Sequence, residues 1–201
     1  VSNGIVLIQY DNTDDSMTEY LSSICNVRVI WGGDDTIKNI RKHALRPRAF
    51  DLTFSDRYSI CVINADTFVY EENPRAIASG FYNDTYLFDQ NACTSPHLVV
   101  WLGCVENVRK AQNIFWGELH KLVKEKYSIQ AVQAVDKMTA AYDQAAGMSD
   151  IRLISTEDNL LWRVKLSSLE KDIEEFRCSS GYFSEYHASS LDDLVPVINS
   201  K

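Results

Sequence analysis

Short apolar runs rich in β-branched residues recur along this chain between longer stretches whose apolar residues fall at helical spacing. Parallel strands need a crossover long enough to hold a helix, so this alternation predicts an α/β fold of three layers with a largely parallel sheet. Ile5–Gln9 reads as a first strand, and Asp14–Ser16 supply cap residues for a helix carrying Met17, Tyr20, Leu21 and Ile24. Val27–Trp31 is the next strand, broken by Gly32-Gly33. A helix capped by Asp34 or Asp35 then carries Ile37, Ile40 and Arg41 and stops before Pro47.

Within Phe54–Asp66 the run SICVINAD is apolar enough to predict a strand buried on both faces. Asn73-Pro74 opens a helix through Phe81 and Phe88, and Leu98–Leu102 is a further buried strand. Glu106–Lys126 and Val132–Gly147 read as helices. Ile151–Ser155, Leu160–Lys165 and Val195–Ile198 read as strands. Trp101, Phe115, Trp116, Tyr127, Tyr142 and Trp162 are expected mostly in the core.

Several function classes lose ground on composition. The 201 residues include 45% hydrophobic ones and only 8 Gly and 4 Pro, which is enough apolar material for a sizeable core. With 20 Lys and Arg against 28 Asp and Glu, the net charge of −8 repels phosphate backbones, so nucleic acid is not expected as a partner. The apolar runs fall far short of the ~20 residues that cross a bilayer, so no membrane span is predicted. Five cysteines form an odd set without CxxC spacing, which predicts neither a disulfide framework nor a zinc ribbon and favours a reducing cytoplasm. No His, Cys and carboxylate cluster has ligand spacing, so no metal is expected. The opening VSNGIVLIQYD lacks a signal sequence, and the chain reads as a piece of something longer.

Two segments can carry chemistry. In Trp31-Gly32-Gly33-Asp34-Asp35-Thr36, glycines after a strand free the amides of a helix N-terminus, which serve either as a plain cap or as a phosphate contact. The aspartates oppose the second use. In Asp89-Gln90-Asn91-Ala92-Cys93-Thr94-Ser95-Pro96-His97, a cysteine on a polar segment before a buried strand is either structural or nucleophilic. His97 follows Cys93 by four residues, but Pro96 prevents a helical pairing. His120, near Lys121 and Lys124, reads as part of a solvated helix face.

The strings VRVIWGGDDTIKNIR, RPRAFDLTFSDRYSICVINAD, FDQNACTSPHLVVWLG and SSGYFSEYHASSLDDLVPVI, in this order, resemble the LuxC family of acyl-CoA reductases, within the aldehyde dehydrogenase superfamily. The resemblance implies an aldehyde-dehydrogenase-like fold. Residues 1–50 would form the edge of a nicotinamide-cofactor domain, and residues 51–201 a catalytic domain. It puts Gly32, Gly33, Asp34 and Thr36 at the cofactor, Cys93 as the nucleophile, and Asp51 where the superfamily carries its glutamate base, with His43 or His97 as alternatives. Cys178–Phe183 stands where a carboxylate motif usually meets the nicotinamide ribose. The implied cofactor is NADPH. The implied substrate is a long-chain acyl-CoA or acyl-carrier protein. Acyl-protein synthetase and transferase partners, a homo-oligomer and a link to luminescence would follow.

Three functions compete on this reading: reduction of an acyl thioester to a fatty aldehyde, CoA-acylating aldehyde oxidation on the same cysteine, and a folded module that supplies oligomer or partner contacts without activity of its own.

Overall fold

The computed structural model describes residues 4–11, 13–169 and 173–198. It divides into two compact units between Arg57 and Tyr58.

The first unit contains α1 (Asp15–Ile24), β1 (Val27–Gly32), α2 (Asp34–Arg41) and β2 (Phe50–Ser55). Asp14 starts α1 by accepting the Met17 N–H at 3.2 Å and the Ser16 hydroxyl at 2.6 Å. β1 and β2 pair in parallel from Val27↔Phe50 to Gly32↔Ser55, with α2 in the crossover. Period-two alternation turns Ile30 inward, where it is buried along with Ile37 of α2. The same alternation puts Val27, Val29, Trp31, Phe50, Leu52 and Phe54 in register on the opposite face, all of them exposed, with Trp31 stacked on Phe54 at 5.1 Å.

One expectation is corrected here. Ile5–Gln9 forms no strand: Ile5, Val6, Leu7 and Ile8 are exposed, and no ladder partner among the described residues takes up their backbone groups. The six-residue ladder with β1 keeps β2 in the first compact unit, which ends at Arg57.

The second unit runs β3 (Ser59–Asn64), α3 (Ala65–Phe68), α4 (Pro74–Thr85), β4 (Pro96–Leu102), α5 (Val105–Lys126), α6 (Ala131–Gly147), β5 (Arg152–Ser155), β6 (Trp162–Leu166), β7 (Tyr182–Ala188) and α7 (Val195–Ile198). Its sheet has the order β3-β4-β7-β6-β5, parallel except for the β5–β6 pair. One core packs Val99, Trp101 and Phe183 against Phe81 of α4 and Phe115, Trp116 and Leu119 of α5. The other packs Leu98, Val100, Val164 and Tyr182 with Ala141 of α6 and Ile173. Sheet and helices thus form three layers, as the alternation of elements requires. Tyr142 is the exception among the named aromatics, exposed on α6.

The Phe54–Asp66 run resolves into parts of two strands, β2 and β3, and β3 is a half-exposed edge strand rather than one buried on both faces. Val195–Ile198 is helical, following a 3-10 turn over Leu191–Leu194 whose start is capped by the Ser190 hydroxyl. β7 occupies the centre of the sheet although its sequence, YFSEYHA, carries Ser184, Glu185 and His187. Glu185 is 1% exposed; its Oε2 accepts the indole N–H groups of Trp101 at 2.9 Å and Trp116 at 2.8 Å. Its Oε1 lies 3.4 Å from the Arg163 guanidinium of β6.

Glu185→Leu should therefore leave two buried indole donors and a half-desolvated Arg163 without an acceptor, at a cost of roughly 3–5 kcal/mol. We expect the thermal midpoint to fall by about 10 °C or more, and Glu185→Gln, which keeps an acceptor oxygen, to lose clearly less. Equal small losses in calorimetry would contradict this role.

Candidate active site

Cys93 sits on a turn before β4, closed by the Ser95 N–H donating to the Ala92 carbonyl at 2.9 Å. Two hydroxyls fasten it from outside: Ser59 donates to the Cys93 carbonyl at 2.8 Å, and Ser95 donates to the Asp84 carbonyl at 2.6 Å. The Cys93 side chain is exposed, and all five cysteines are free thiols. Cys61 and Cys178 are partly buried, which pushes the Cys61 thiol up to about 11 and raises that of Cys178 as well. Cys104 is also exposed; it is the N-cap residue of α5, and its N–H donates to the Asp66 carboxylate at 3.1 Å.

The polar segment before the turn is tied to the middle of the sheet by one buried side chain. Asp89 and Gln90 both adopt left-handed backbone conformations, which turn the Gln90 amide inward, 1% exposed. Its Nε2 donates to the carbonyls of Pro96 at 3.1 Å and Tyr182 at 2.8 Å. Its Oε1 accepts the N–H groups of Gly181 at 3.0 Å and Tyr182 at 3.1 Å. The amide thus uses both donors and both acceptor sites, as a buried primary amide must. Gly181 is required by shape: its φ is +88°, and a Cβ there would lie 2.3 Å from the Tyr86 hydroxyl and 2.5 Å from the Leu160 carbonyl. The sequence singles out the two segments that contain Gln90, Ser180 and Gly181 but gives these three residues no individual role, since their contacts join positions far apart in the chain.

His97 lies on β4, buried, with Nδ1 3.2 Å from the Cys178 carbonyl and its ring stacked on Tyr58 at 5.8 Å. This contact brings the Cys178–Phe183 segment to the start of β4, beside the turn that carries Cys93. His120 is not merely solvated: its Nε2 is 2.7 Å from Asp158 Oδ2. Burial pushes the Asp158 carboxyl up, but the Thr156 hydroxyl, the His120 ring and the Leu160 amide outweigh it and hold it at about 2.

The remaining candidates belong to the first unit. The N-cap of α2 is Gly33 rather than Asp34 or Asp35; those two occupy its first turn together with Thr36. Gly33 has φ −67° and ψ 167°, and a Cβ there would meet nothing within 4 Å, so backbone shape alone does not demand glycine at this position. Gly32 is the crowded one, where a Cβ would lie 3.0 Å from the Thr36 methyl. Asp51 is held by two arginines: Arg28 grips both oxygens at 2.6 and 3.0 Å, and Arg41 approaches at 3.3 Å. His43 Nε2 faces Asp15 at 3.4 Å. Among the described residues, no three His, Cys, Asp or Glu side chains gather as a metal-holding group, and no helix is long and apolar enough to cross a membrane.

Comparison with known proteins adds the following. The model of the family described as acyl-CoA reductase (LuxC) matches residues 1–201. The long-chain acyl-protein thioester reductase of Photobacterium phosphoreum is 25% identical over 202 aligned residues, covering 94% of this chain and 37% of the relative. Long-chain acyl-protein thioester reductase 2 of Photobacterium leiognathi is 29% identical over 105 residues, covering 51% of this chain and 20% of the relative. The matched part of the chain therefore spans 37% of the length of one of these curated relatives and 20% of the other. Among solved structures, a methylmalonate-semialdehyde dehydrogenase from Sinorhizobium meliloti, complexed with NAD, is similar at a TM-score of 0.61 and 10% identity, over 92% of this chain and 40% of that one. A benzaldehyde dehydrogenase from Corynebacterium glutamicum is similar at 0.56 and 12% identity, over 92% and 42%. The fold is that of the aldehyde dehydrogenases.

The geometry at Asp51 makes a pH prediction. The Arg28 guanidinium holds its carboxyl below the usual carboxylate range, so the ion pair adds stability above that range, and the gain is lost as pH falls through the folded-state value. Asp51→Asn should cost about 2 kcal/mol near neutral pH. The gap in unfolding midpoint between the two proteins should close as the solution is acidified below pH ~4. A gap independent of pH would contradict the ion-pair account.

Proposed function

The chain belongs to the acyl-CoA reductase (LuxC) family, and on that premise we propose that it forms the nucleophile-bearing part of an enzyme that reduces long-chain acyl thioesters to fatty aldehydes through a thioester on Cys93. The observation that carries this reading is an exposed thiol on a turn whose base is locked to the sheet by Gln90. A nucleophile held this way meets a carbonyl without paying again for its own ordering.

In the proposed reaction the Cys93 sulfur, as thiolate, attacks the acyl carbonyl carbon. The bond from that carbon to the sulfur of CoA or of an acyl-carrier protein breaks, and the departing thiolate takes a proton from solvent. Among the described residues, the N–H groups of Cys93 and Thr94 make no backbone hydrogen bond, so they are free to donate to the oxygen that becomes negative during attack. Asp51 is poorly suited to accept the thiol proton, because its oxygens are engaged by Arg28 and Arg41; we assign it to the fold, and His97 is the better-placed alternative by its position on β4.

The first turn of α2 fits a dinucleotide phosphate in two respects: no side chain caps its amides, and the Cβ direction of Gly33 is open. Gly32, Gly33, Asp34 and Thr36 would hold NADPH there. When bound, the nicotinamide supplies the hydride that converts the acyl group to the aldehyde. A cytoplasmic homo-oligomer working with an acyl-protein synthetase and transferase, as in luminescence, completes the proposal.

The test is made on the full-length protein. Incubation with a long-chain acyl-CoA should leave an acyl adduct that survives denaturation, and NADPH should discharge it as aldehyde. Cys93→Ala should abolish both while folding normally. An undiminished adduct in Cys93→Ala would overturn the assignment. Aldehyde oxidation dependent on CoA, without any reductive discharge, would favour the acylating dehydrogenase instead.

A further inference from the structure

Among the described residues of the second unit, one ammonium group is completely enclosed. Lys137 of α6 is 0% exposed, and its Nζ donates to the carbonyls of Asn159 and of Ser180, the latter at 2.8 Å. Among the described residues it has no carboxylate within ion-pair distance; Asp158 and Cys178 are the titratable groups that act on it from across the contact. Burial pushes the lysine down to about 8, so enclosing the charge works against folding and the two carbonyls must be held in return.

Both carbonyl owners are unusual. Asn159 and Ser180 each have φ +59°, a left-handed conformation that non-glycine residues adopt at some energetic cost. Asn159 belongs to the turn joining β5 to β6, which is ordered by Thr156, Asp158 and Leu161. Ser180 belongs to the segment that meets the nucleophile loop. Its N–H donates to the Asp89 carbonyl at 2.9 Å, its hydroxyl accepts from Gln133 Nε2 at 2.8 Å, and the next two N–H groups are those accepted by Gln90.

We propose that Lys137 is a positioning residue for Cys93: its ammonium fixes the left-handed Ser180–Gly181 turn that presents the Gly181 and Tyr182 amides to Gln90, which in turn holds the nucleophile loop. Lys137 acts at two removes, through Ser180 and then Gln90, and needs no contact with substrate. The inference rests on Cys93 being the nucleophile. Gln133 supports the same turn from one helical turn away on α6, with a weaker, half-exposed contact.

The experiment uses Lys137→Met and the milder Gln133→Met in the full-length protein, read in two ways. In hydrogen exchange, residues 89–95 and 179–182 should exchange about tenfold faster in Lys137→Met than in wild type, and severalfold faster in Gln133→Met. In acylation by a long-chain acyl-CoA, kcat should fall about 100-fold in Lys137→Met with KM within about twofold, since a displaced nucleophile loses alignment rather than substrate binding. Alkylation of Cys93 by iodoacetamide, which has no such alignment demand, should stay within about twofold. A lowered thermal midpoint with unchanged kcat, or unchanged exchange at residues 89–95 in Gln133→Met should Lys137→Met not fold, would overturn the proposal. Wild-type protein that forms no adduct would instead remove the nucleophile reading, and the exchange data would still decide whether the lock exists.

Discussion

A buried glutamine amide joins the loop that carries Cys93 to the central strand, and the arrangement of the second unit converges on it. Gln90 satisfies four backbone groups: one at the start of β4, one that precedes β7 and two that belong to the first residue of β7. In a low-dielectric interior each of those groups would otherwise be costly, so the loop and the two strands are fixed together. The turn that presents Cys93 grows directly out of that anchored point. Flexibility at the thiol is limited further by the two serine hydroxyls that hold the turn's backbone, while the side chain itself remains open to solvent.

Charge is buried in the same unit wherever a polar partner makes it tolerable. Glu185 sits in the middle of the sheet because two indole N–H groups and Arg163 surround it. Lys137 sits between helix and turns because two carbonyls accept from it. Neither is an isolated ion in an apolar core, and each ties together elements distant in sequence. The first unit uses the same device where Arg28 of β1 and Asp51 of β2 lie opposite each other in the parallel ladder and pair across it.

This use of buried charge explains what the sequence shows and what it hides. Continuous apolar runs such as Leu98–Leu102 reveal themselves as strands, and α5 and α6 reveal themselves by helical spacing. β7 does not, because Glu185 and His187 break its apolar pattern while their partners lie on β4, β6, α5 and the Gly103 carbonyl. Ile5–Gln9 fails in the opposite way: its composition suits a strand, but composition supplies no ladder partner. Cys93 stands out through the family resemblance of its segment. Gln90, Ser180 and Lys137 carry no local signal, since their roles come from contacts some 40 to 90 positions away in the chain. Gly33 shows the limit of motif reasoning, because a glycine pair after a strand suggests a forced turn, whereas the crowded member is Gly32, against Thr36.

The most direct test of this account is the native-state exchange of the Gly181 and Tyr182 amide protons in the wild-type protein. Both lie at the start of a strand, where fraying would ordinarily allow rapid exchange. If the Gln90 carbonyl oxygen holds them, they should be protected to the same degree as the amides of Val99 and Val100 in the middle of β4, and Gln90→Met should release them together. Exchange at the rate of an exposed turn in the wild-type protein would contradict the account at its centre.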